Sequence, residues 1–209
     1  MENNSSARRS FLKYINNEDD NINIENLKES IYCIFYENSD DEYIGYDEAS
    51  VLWNELNDFI DRKIEPLIEL QRYMEAVELI LHLASSFTEY DIDDSDGVIM
   101  GIYSRCEEII SLVIRLCSEK EEEKIFQDVV YEIDNNNDEY GYYKGFLDRL
   151  LFNQFKSEKS LKEILKIVNS RIKSLSGDKE DSFSQFYFKI ILSAKLKIME
   201  ELNLPDNEI

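Results

Sequence analysis

The sequence predicts an all-α protein, with antiparallel helical hairpins stacked as a helical-repeat-like array or a bundle. Apolar residues recur at three- and four-residue steps along nearly the whole chain, which is the spacing of one buried helix face. Only 6 glycines and 2 prolines occur in 209 residues, and so few turn residues argue against a sheet. Hydrophobic residues make up 43% of the chain, which is enough to form a packed core.

The N-terminal two thirds of the sequence divide into separate helices. Residues 1–24 are predicted to be a flexible segment with a short helix around Phe11. One helix is predicted over residues 25–36, and another begins near residue 47 and must kink or restart at Pro66, which has no amide hydrogen. Helices over about 73–90 and 99–117 carry broad apolar stripes, and an acidic loop separates them.

Three sequence pairs match the capping box, in which a serine and a glutamate or glutamine three residues later bond to each other's backbone amides. They are Ser118 with Glu121, Ser160 with Glu163, and Ser182 with Gln185. Each predicts a helix start. A further helix is predicted from about residue 143 to 155, and Pro205 ends the last helix.

Charge divides the chain unevenly. Residues 1–155 hold 13 basic and 36 acidic side chains, whereas residues 156–209 hold 10 and 9. We therefore predict an acidic helical-hairpin domain over 25–155 and a C-terminal helical hairpin over 156–209, packed on it in one compact body.

The net charge of -22 repels phosphate backbones and favours basic partners, so direct nucleic-acid binding is not expected. The same charge could also serve solubility alone.

Targeting and redox signals point to the cytoplasm. The N-terminus lacks an apolar signal core, and no apolar run approaches the length of a membrane span. The three cysteines, Cys33, Cys106 and Cys117, are odd in number and widely spaced, which predicts free thiols in a reducing compartment.

The densest polar cluster is Asp91, Asp93, Asp94 and Asp96, which precedes Gly97. An EF-hand register fails because Ile92 and Tyr103 fall where carboxylate ligands are needed. The four aspartates are therefore only weak candidate metal ligands. Capping of the following helix is the favoured role, with Gly97 permitting a tight turn.

No motif indicates an enzyme. The one histidine, His82, would have to meet a cysteine in space to build a nucleophile and base pair, and no phosphate-binding glycine loop occurs. We predict a non-enzymatic protein with no cofactor. A metal-dependent hydrolase that uses the Asp91–Asp96 cluster stays as an alternative.

Two similar acidic turns are the predicted partner contacts, because exposed tyrosine beside carboxylates suits recognition of Lys or Arg. They comprise Asp40, Asp41, Glu42 and Tyr43, and the later echo Asp138, Glu139 and Tyr140. The predicted function is a helical adaptor that binds a basic protein or a basic segment of one. The alternative in the same class is an acidic mimic of nucleic acid that inhibits a DNA- or RNA-binding protein. Basic residues over 156–173 could support a homodimer, dock on the chain's own acidic part or form a solvated face.

Residues 45–49, 71–76 and 93–97, with 138–142, resemble the helical region that follows the zinc finger in bacterial SWIM zinc-finger family proteins. The resemblance covers about residues 25–155. It implies a helical-hairpin scaffold that binds proteins along an extended surface, and no catalytic residue. The closely spaced Cys-x-Cys and Cys-x-His pairs of the finger do not occur here, so zinc and nucleic-acid binding are not carried over.

Overall fold

The computed structural model describes residues 23–135, 141–175 and 182–204, and within them the predicted all-α fold is confirmed. The α-helices are α1 (Ile24–Glu37), α2 (Tyr46–Phe59), α3 (Glu65–Glu69), α4 (Tyr73–Ser86), α5 (Val98–Leu116), α6 (Glu119–Asn135), α7 (Tyr142–Asn153), α8 (Glu158–Leu175) and α9 (Ser182–Glu201). The short helix predicted around Phe11 lies outside the described residues.

The described residues form two compact units. Unit 1 contains residues 23–125 and 141–146, and unit 2 contains residues 126–135, 147–175 and 182–204. The domain boundary predicted from the sequence lies between residues 155 and 156. Helices α6 and α7 each contribute residues to both units. No helix in the described ranges is both long enough and apolar enough to cross a membrane.

Pro66 changes the helix geometry as predicted. A π-helical segment, Ile60–Ile64, follows α2 directly and leads into α3, which has Pro66 in its first turn. Because proline has no amide hydrogen, the regular bond to the carbonyl four residues earlier cannot form there. The wider π turn keeps the apolar side chains of Ile60 and Ile64 fully buried.

The capping predictions have different outcomes. Ser118 and Glu121 form the predicted box, since the Glu121 carboxylate accepts from the Ser118 amide at 2.8 Å and the Ser118 hydroxyl accepts from the Glu121 amide at 3.4 Å. Helix α8 begins earlier than expected, and the Ser157 hydroxyl accepts from the Ser160 amide at 3.1 Å. Ser160 is therefore a buried residue of the first turn rather than the cap. The Ser182 side chain lies outside the described residues.

Unit 1 is built around a row of aromatic rings. Phe35 of α1 meets Phe87 edge-on at 5.0 Å between ring centroids, and Phe87 meets Tyr103 of α5 at 5.5 Å. Tyr103 stacks on Phe146 at 5.0 Å and donates its hydroxyl hydrogen to the Ala84 carbonyl at 3.2 Å.

Helix α1 packs on α4, α2 on α5, and α4 on α5. Contacts between helices that are not consecutive are those of a bundle.

The helical pattern of the sequence did not predict a two-stranded parallel pair. Strand β1 (Tyr43–Ile44) pairs with β2 (Asp91–Ile92), with Tyr43 opposite Asp91 and Ile44 opposite Ile92. Two residues are too few for an alternating pattern to be seen in the sequence. The pair matters because it joins two loops that lie almost fifty residues apart in the chain.

Unit 2 packs α8 against α9. Leu161, Ile164 and Val168 of α8 are buried, as are Ile191 and Ile198 of α9. Phe126 and Phe155 meet edge-on at 5.1 Å between centroids. The apolar residues of α8, spaced three and four apart, therefore form its buried face.

Candidate functional site

The turn formed by Asp40, Asp41, Glu42 and Tyr43, here called the acidic turn, is a tight and strained hairpin. The Asp40 amide donates to the Tyr43 carbonyl at 2.8 Å, and the Tyr43 amide donates to the Asp40 carbonyl at 3.1 Å. Asp41 and Glu42 both have positive φ, at 52° and 67°. This is the backbone of a type I′ turn, whose central positions favour Asn and Gly. A glutamate there costs about 1 kcal/mol or more, and its neighbours must hold it in place.

Buried groups on both sides hold the acidic turn. Asn38 ends α1 and is 8% exposed, and its side-chain amide donates to the Ile34 carbonyl at 2.8 Å and to the Glu55 carboxylate at 2.7 Å. Ile44, immediately after the turn, is fully buried. All four residues of the turn are exposed between these anchors.

The strand pair places a second acidic segment beside this turn. The Asp91 amide donates to the Glu42 carbonyl, and the Asp93 amide donates to the Ile44 carbonyl, both at 2.9 Å. Residues 36–48 carry six carboxylates and residues 89–96 carry five, and neither segment contains Lys or Arg. Within the described part of the chain, none of these eleven carboxylates forms an ion pair. We call these two segments together the acidic surface.

The Asp93–Gly97 turn has the structural role that the sequence favoured. The Asp94 carboxylate accepts from the Ile99 amide at 2.9 Å and so caps α5, and the Asp93 carboxylate accepts from the amide and hydroxyl of Ser95. Gly97 has a φ of 73°, where a side chain would be strained.

The structure gives the four weak candidate metal ligands different surroundings. Asp91 lies exposed on β2, while Asp93 and Asp94 are used by the turn. Among the described residues, no group of three or more His, Cys, Asp or Glu is placed to hold a metal ion.

Three exposed tyrosines, Tyr36, Tyr43 and Tyr46, lie within the acidic surface. Tyr43 and Tyr46 are about half exposed, and Tyr32 and Tyr36 stack on α1 with centroids 5.9 Å apart. A hydrogen bond to Asp96, together with the charge of that carboxylate, raises the pKa of Tyr46. These rings offer flat faces beside carboxylates, which is the combination expected to attract Lys and Arg side chains.

A cavity of about 340 Å³ opens next to the same strand pair. Its walls include five aromatic rings, from Phe87, Tyr90, Tyr103, Tyr142 and Tyr143, and two carboxylates, Asp91 and Asp94. None of the described residues that line it is a Lys or Arg. Burial raises the pKa of Tyr90, and the nearby charge of Glu42 raises it further. We call this hollow the aromatic cavity.

A larger and more open hollow of about 690 Å³ lies between α1 and α2. Its lining mixes Glu55 and Asp58 with Arg62 and Lys63. Arg62 pairs with Asp58 at 2.7 Å, and Glu55 accepts the Asn38 bond described above. The charges here are largely satisfied within the chain, so this hollow has less to offer a charged partner than the acidic surface.

His82 and the cysteines show no reactive pairing. His82 is half-buried and hydrogen-bonds to the backbone of Lys28, and burial lowers its pKa. Cys106 is fully buried, which strongly raises its pKa and keeps the thiol protonated. Cys117 lies against the Ile114 carbonyl at 3.7 Å, and Cys33 is exposed.

The predicted basic stretch is partly used inside unit 2. Lys156 pairs with Glu201 at 2.8 Å, and Lys162 pairs with Glu158 at 2.5 Å. Arg171 donates to Asp148 at 2.6 Å and to the Tyr187 hydroxyl at 3.1 Å, and that hydroxyl donates to Asp148 at 2.8 Å. The homodimer through this stretch stays a prediction.

Only part of this site could be predicted from the sequence. The predicted contacts Asp40 to Tyr43 lie on the acidic surface, whereas the echo Asp138, Glu139 and Tyr140 lies outside the described residues. Tyr90, Tyr142 and Tyr143 were not predicted as site residues, although Tyr90 adjoins Asp91, a weak candidate metal ligand, and Tyr142 and Tyr143 lie within four residues of Glu139, a predicted partner contact. Comparisons with protein-family models, with curated proteins and with solved structures find no match to this chain.

Proposed function

We propose that this chain is a non-enzymatic helical scaffold or adaptor, and that its acidic surface binds a basic segment of a protein partner. The observation that carries the proposal is the β1–β2 pair, which places two acidic segments without a Lys or Arg next to each other. Carboxylates held close together strengthen the local negative potential, which attracts and steers a cationic partner.

The strained acidic turn supports a role in recognition. Asp41 and Glu42 keep positive φ although Gly at either position would relax the backbone. Backbone strain of this kind is concentrated at binding and catalytic sites, where the rest of the fold enforces it. The exposed tyrosines add apolar contact area at a low entropic cost, which charged side chains alone do not supply.

The test is titration of the protein with a fluorescent peptide of alternating Arg, Lys and Gly, at a series of salt concentrations. We expect saturable binding that weakens about tenfold or more between about 50 mM and 500 mM salt, because salt screens exposed charges. A peptide with Gln in place of each Arg and Lys is the control and is not expected to bind. Equal affinity for the two peptides would refute the proposal.

Matched charge variants locate the surface. One variant neutralises the acidic turn by Asp40→Asn, Asp41→Asn and Glu42→Gln. The control removes the same charge elsewhere in the exposed described chain: Glu29→Gln, Glu108→Gln and Glu119→Gln. Each exposed pair contributes about 0.2 to 1 kcal/mol. Loss of three such pairs, about 0.6 to 3 kcal/mol, should therefore weaken binding by about threefold to a hundredfold, and the control should lose much less.

Competition with duplex DNA tests the nucleic-acid mimic. A DNA-binding protein captured through the acidic surface should be released by DNA if the chain acts as such a mimic. Retention of the basic peptide or partner in the presence of DNA favours the adaptor.

Calorimetry with calcium, magnesium and manganese tests the metal-dependent hydrolase, and heat at the Asp91–Asp96 cluster would favour that alternative.

A further inference from the structure

We infer that the aromatic cavity binds one arginine side chain of the basic segment and so selects arginine over lysine at that position. This inference rests on the proposed function and adds to it the chemical class of the side chain that is recognised. The cavity lies beside β2, and Asp91 belongs to both the cavity wall and the acidic surface. A partner that covers the acidic surface would therefore pass the cavity mouth.

The size of the cavity suits a side chain. About 340 Å³ lies at the lower end of the range for pockets that hold small ligands, roughly 300 to 1,000 Å³. The space is thus enough for the end of one extended side chain.

The chemistry of the walls suits a guanidinium group. Aromatic faces attract a cation through the ring quadrupole, and the planar guanidinium also stacks on them, which a lysine ammonium does not do. Asp91 is exposed, and the cap on Ile99 uses only Oδ1 of Asp94. Two carboxylates at the wall of an aromatic pocket match the several N–H donors of arginine.

The walls are already fixed by the core. Tyr90 stacks on Phe35 with ring centroids 5.2 Å apart, and Tyr143 stacks on Phe146 at 6.0 Å. Tyr103 is 1% exposed and bonded to the Ala84 carbonyl. Rings held in this way lose little side-chain entropy when a ligand enters, which favours binding.

The experiment is an NMR titration of protein carrying ring-labelled tyrosine with three small probes: acetyl-arginine amide, acetyl-citrulline amide and acetyl-lysine amide. Citrulline has nearly the shape of arginine without its charge. We expect the arginine probe to shift the Tyr90 and Tyr142 ring signals and to bind at least about tenfold more tightly than the citrulline probe. Equal binding of arginine and citrulline, or lysine binding as tight as or tighter than arginine binding, would overturn the inference.

Two variants on exposed positions test the wall without opening the core. Tyr142→Leu should weaken arginine binding by about three- to tenfold, since it removes one cation–aromatic contact. Asp91→Asn should weaken it by about two- to fivefold. The controls, Tyr131→Leu and Glu108→Gln, change exposed residues outside the cavity and should leave the affinity unchanged. Equal losses in variants and controls would contradict the assignment.

The two proposals fail in different ways. If the basic peptide binds the wild type but the arginine probe leaves Tyr90 and Tyr142 unmoved, the cavity inference is wrong and the proposed function stands. If the arginine probe binds in the cavity but the basic peptide does not bind, the proposed function is wrong and the cavity assignment is supported.

Discussion

Gly101→Ala should destabilise unit 1 although alanine is the better helix former. Gly101 lies in α5, on the side that meets Trp53 of α2. A Cβ atom at Gly101 would lie 2.5 Å from Cη2 of Trp53 and still closer to Cζ3. In an exposed helix this substitution stabilises by about 1 kcal/mol, whereas forcing atoms into a packed contact costs about 1 to 3 kcal/mol. The expected net effect is a loss of up to about 2 kcal/mol.

The sign of this effect should reverse when the ring is removed. In a Trp53→Leu background, Gly101→Ala should stabilise by about 1 kcal/mol because only the helix propensity remains. Trp53 is the only tryptophan, so urea unfolding is followed by far-ultraviolet circular dichroism in both backgrounds. Ser104→Ala, on an exposed position of α5, is the control and should have the same small effect in each. The same change in stability for Gly101→Ala in both backgrounds would show that α2 and α5 do not pack at this point.

Three further outcomes are expected. Asp148→Ala leaves the partly buried Arg171 without its carboxylate partner and should cost about 2 to 4 kcal/mol in urea unfolding. The loss should exceed that of Tyr187→Phe, which keeps the ion pair, and equal losses would contradict this ranking. Glu42→Gly should stabilise by about 1 kcal/mol because glycine accepts its positive φ; destabilisation would exclude the left-handed turn. The His82 ring signal should titrate below pH 6.5 because burial lowers its pKa, so the stability it contributes is present above pH 6.5 and is lost as the pH falls. A midpoint at or above pH 6.5 would show that burial does not dominate the pKa of His82.

The helices could be predicted from the sequence because each has a local cause. The apolar spacing of α4 and α5, the capping box at Ser118 and Glu121, and the missing amide of Pro66 all act within a few residues. Helix α8 shows the limit of such signals. Ser157 and Ser160 both offer a hydroxyl that could cap the helix. Ser160 is buried in the first turn, so Ser157 is the cap.

The candidate site could be predicted only in pieces. Asp40 to Tyr43 and Asp91 to Asp96 were both recognised from their local composition. Their pairing was not, because a two-residue parallel contact depends on how α1, α2 and α4 pack and not on the strand residues themselves. For the same reason the aromatic cavity could not be foreseen, since Tyr90 and Tyr142 come from distant parts of the chain.

The most direct test of the account is to map the bound basic peptide on the amide NMR spectrum of the protein. We predict that the largest shift changes fall on residues 40–48 and 89–97, on both sides of the β1–β2 pair, and that they disappear at high salt. Shift changes confined to unit 2, or shifts in one of the two segments without the other, would contradict the claim that the strand pair assembles one acidic surface.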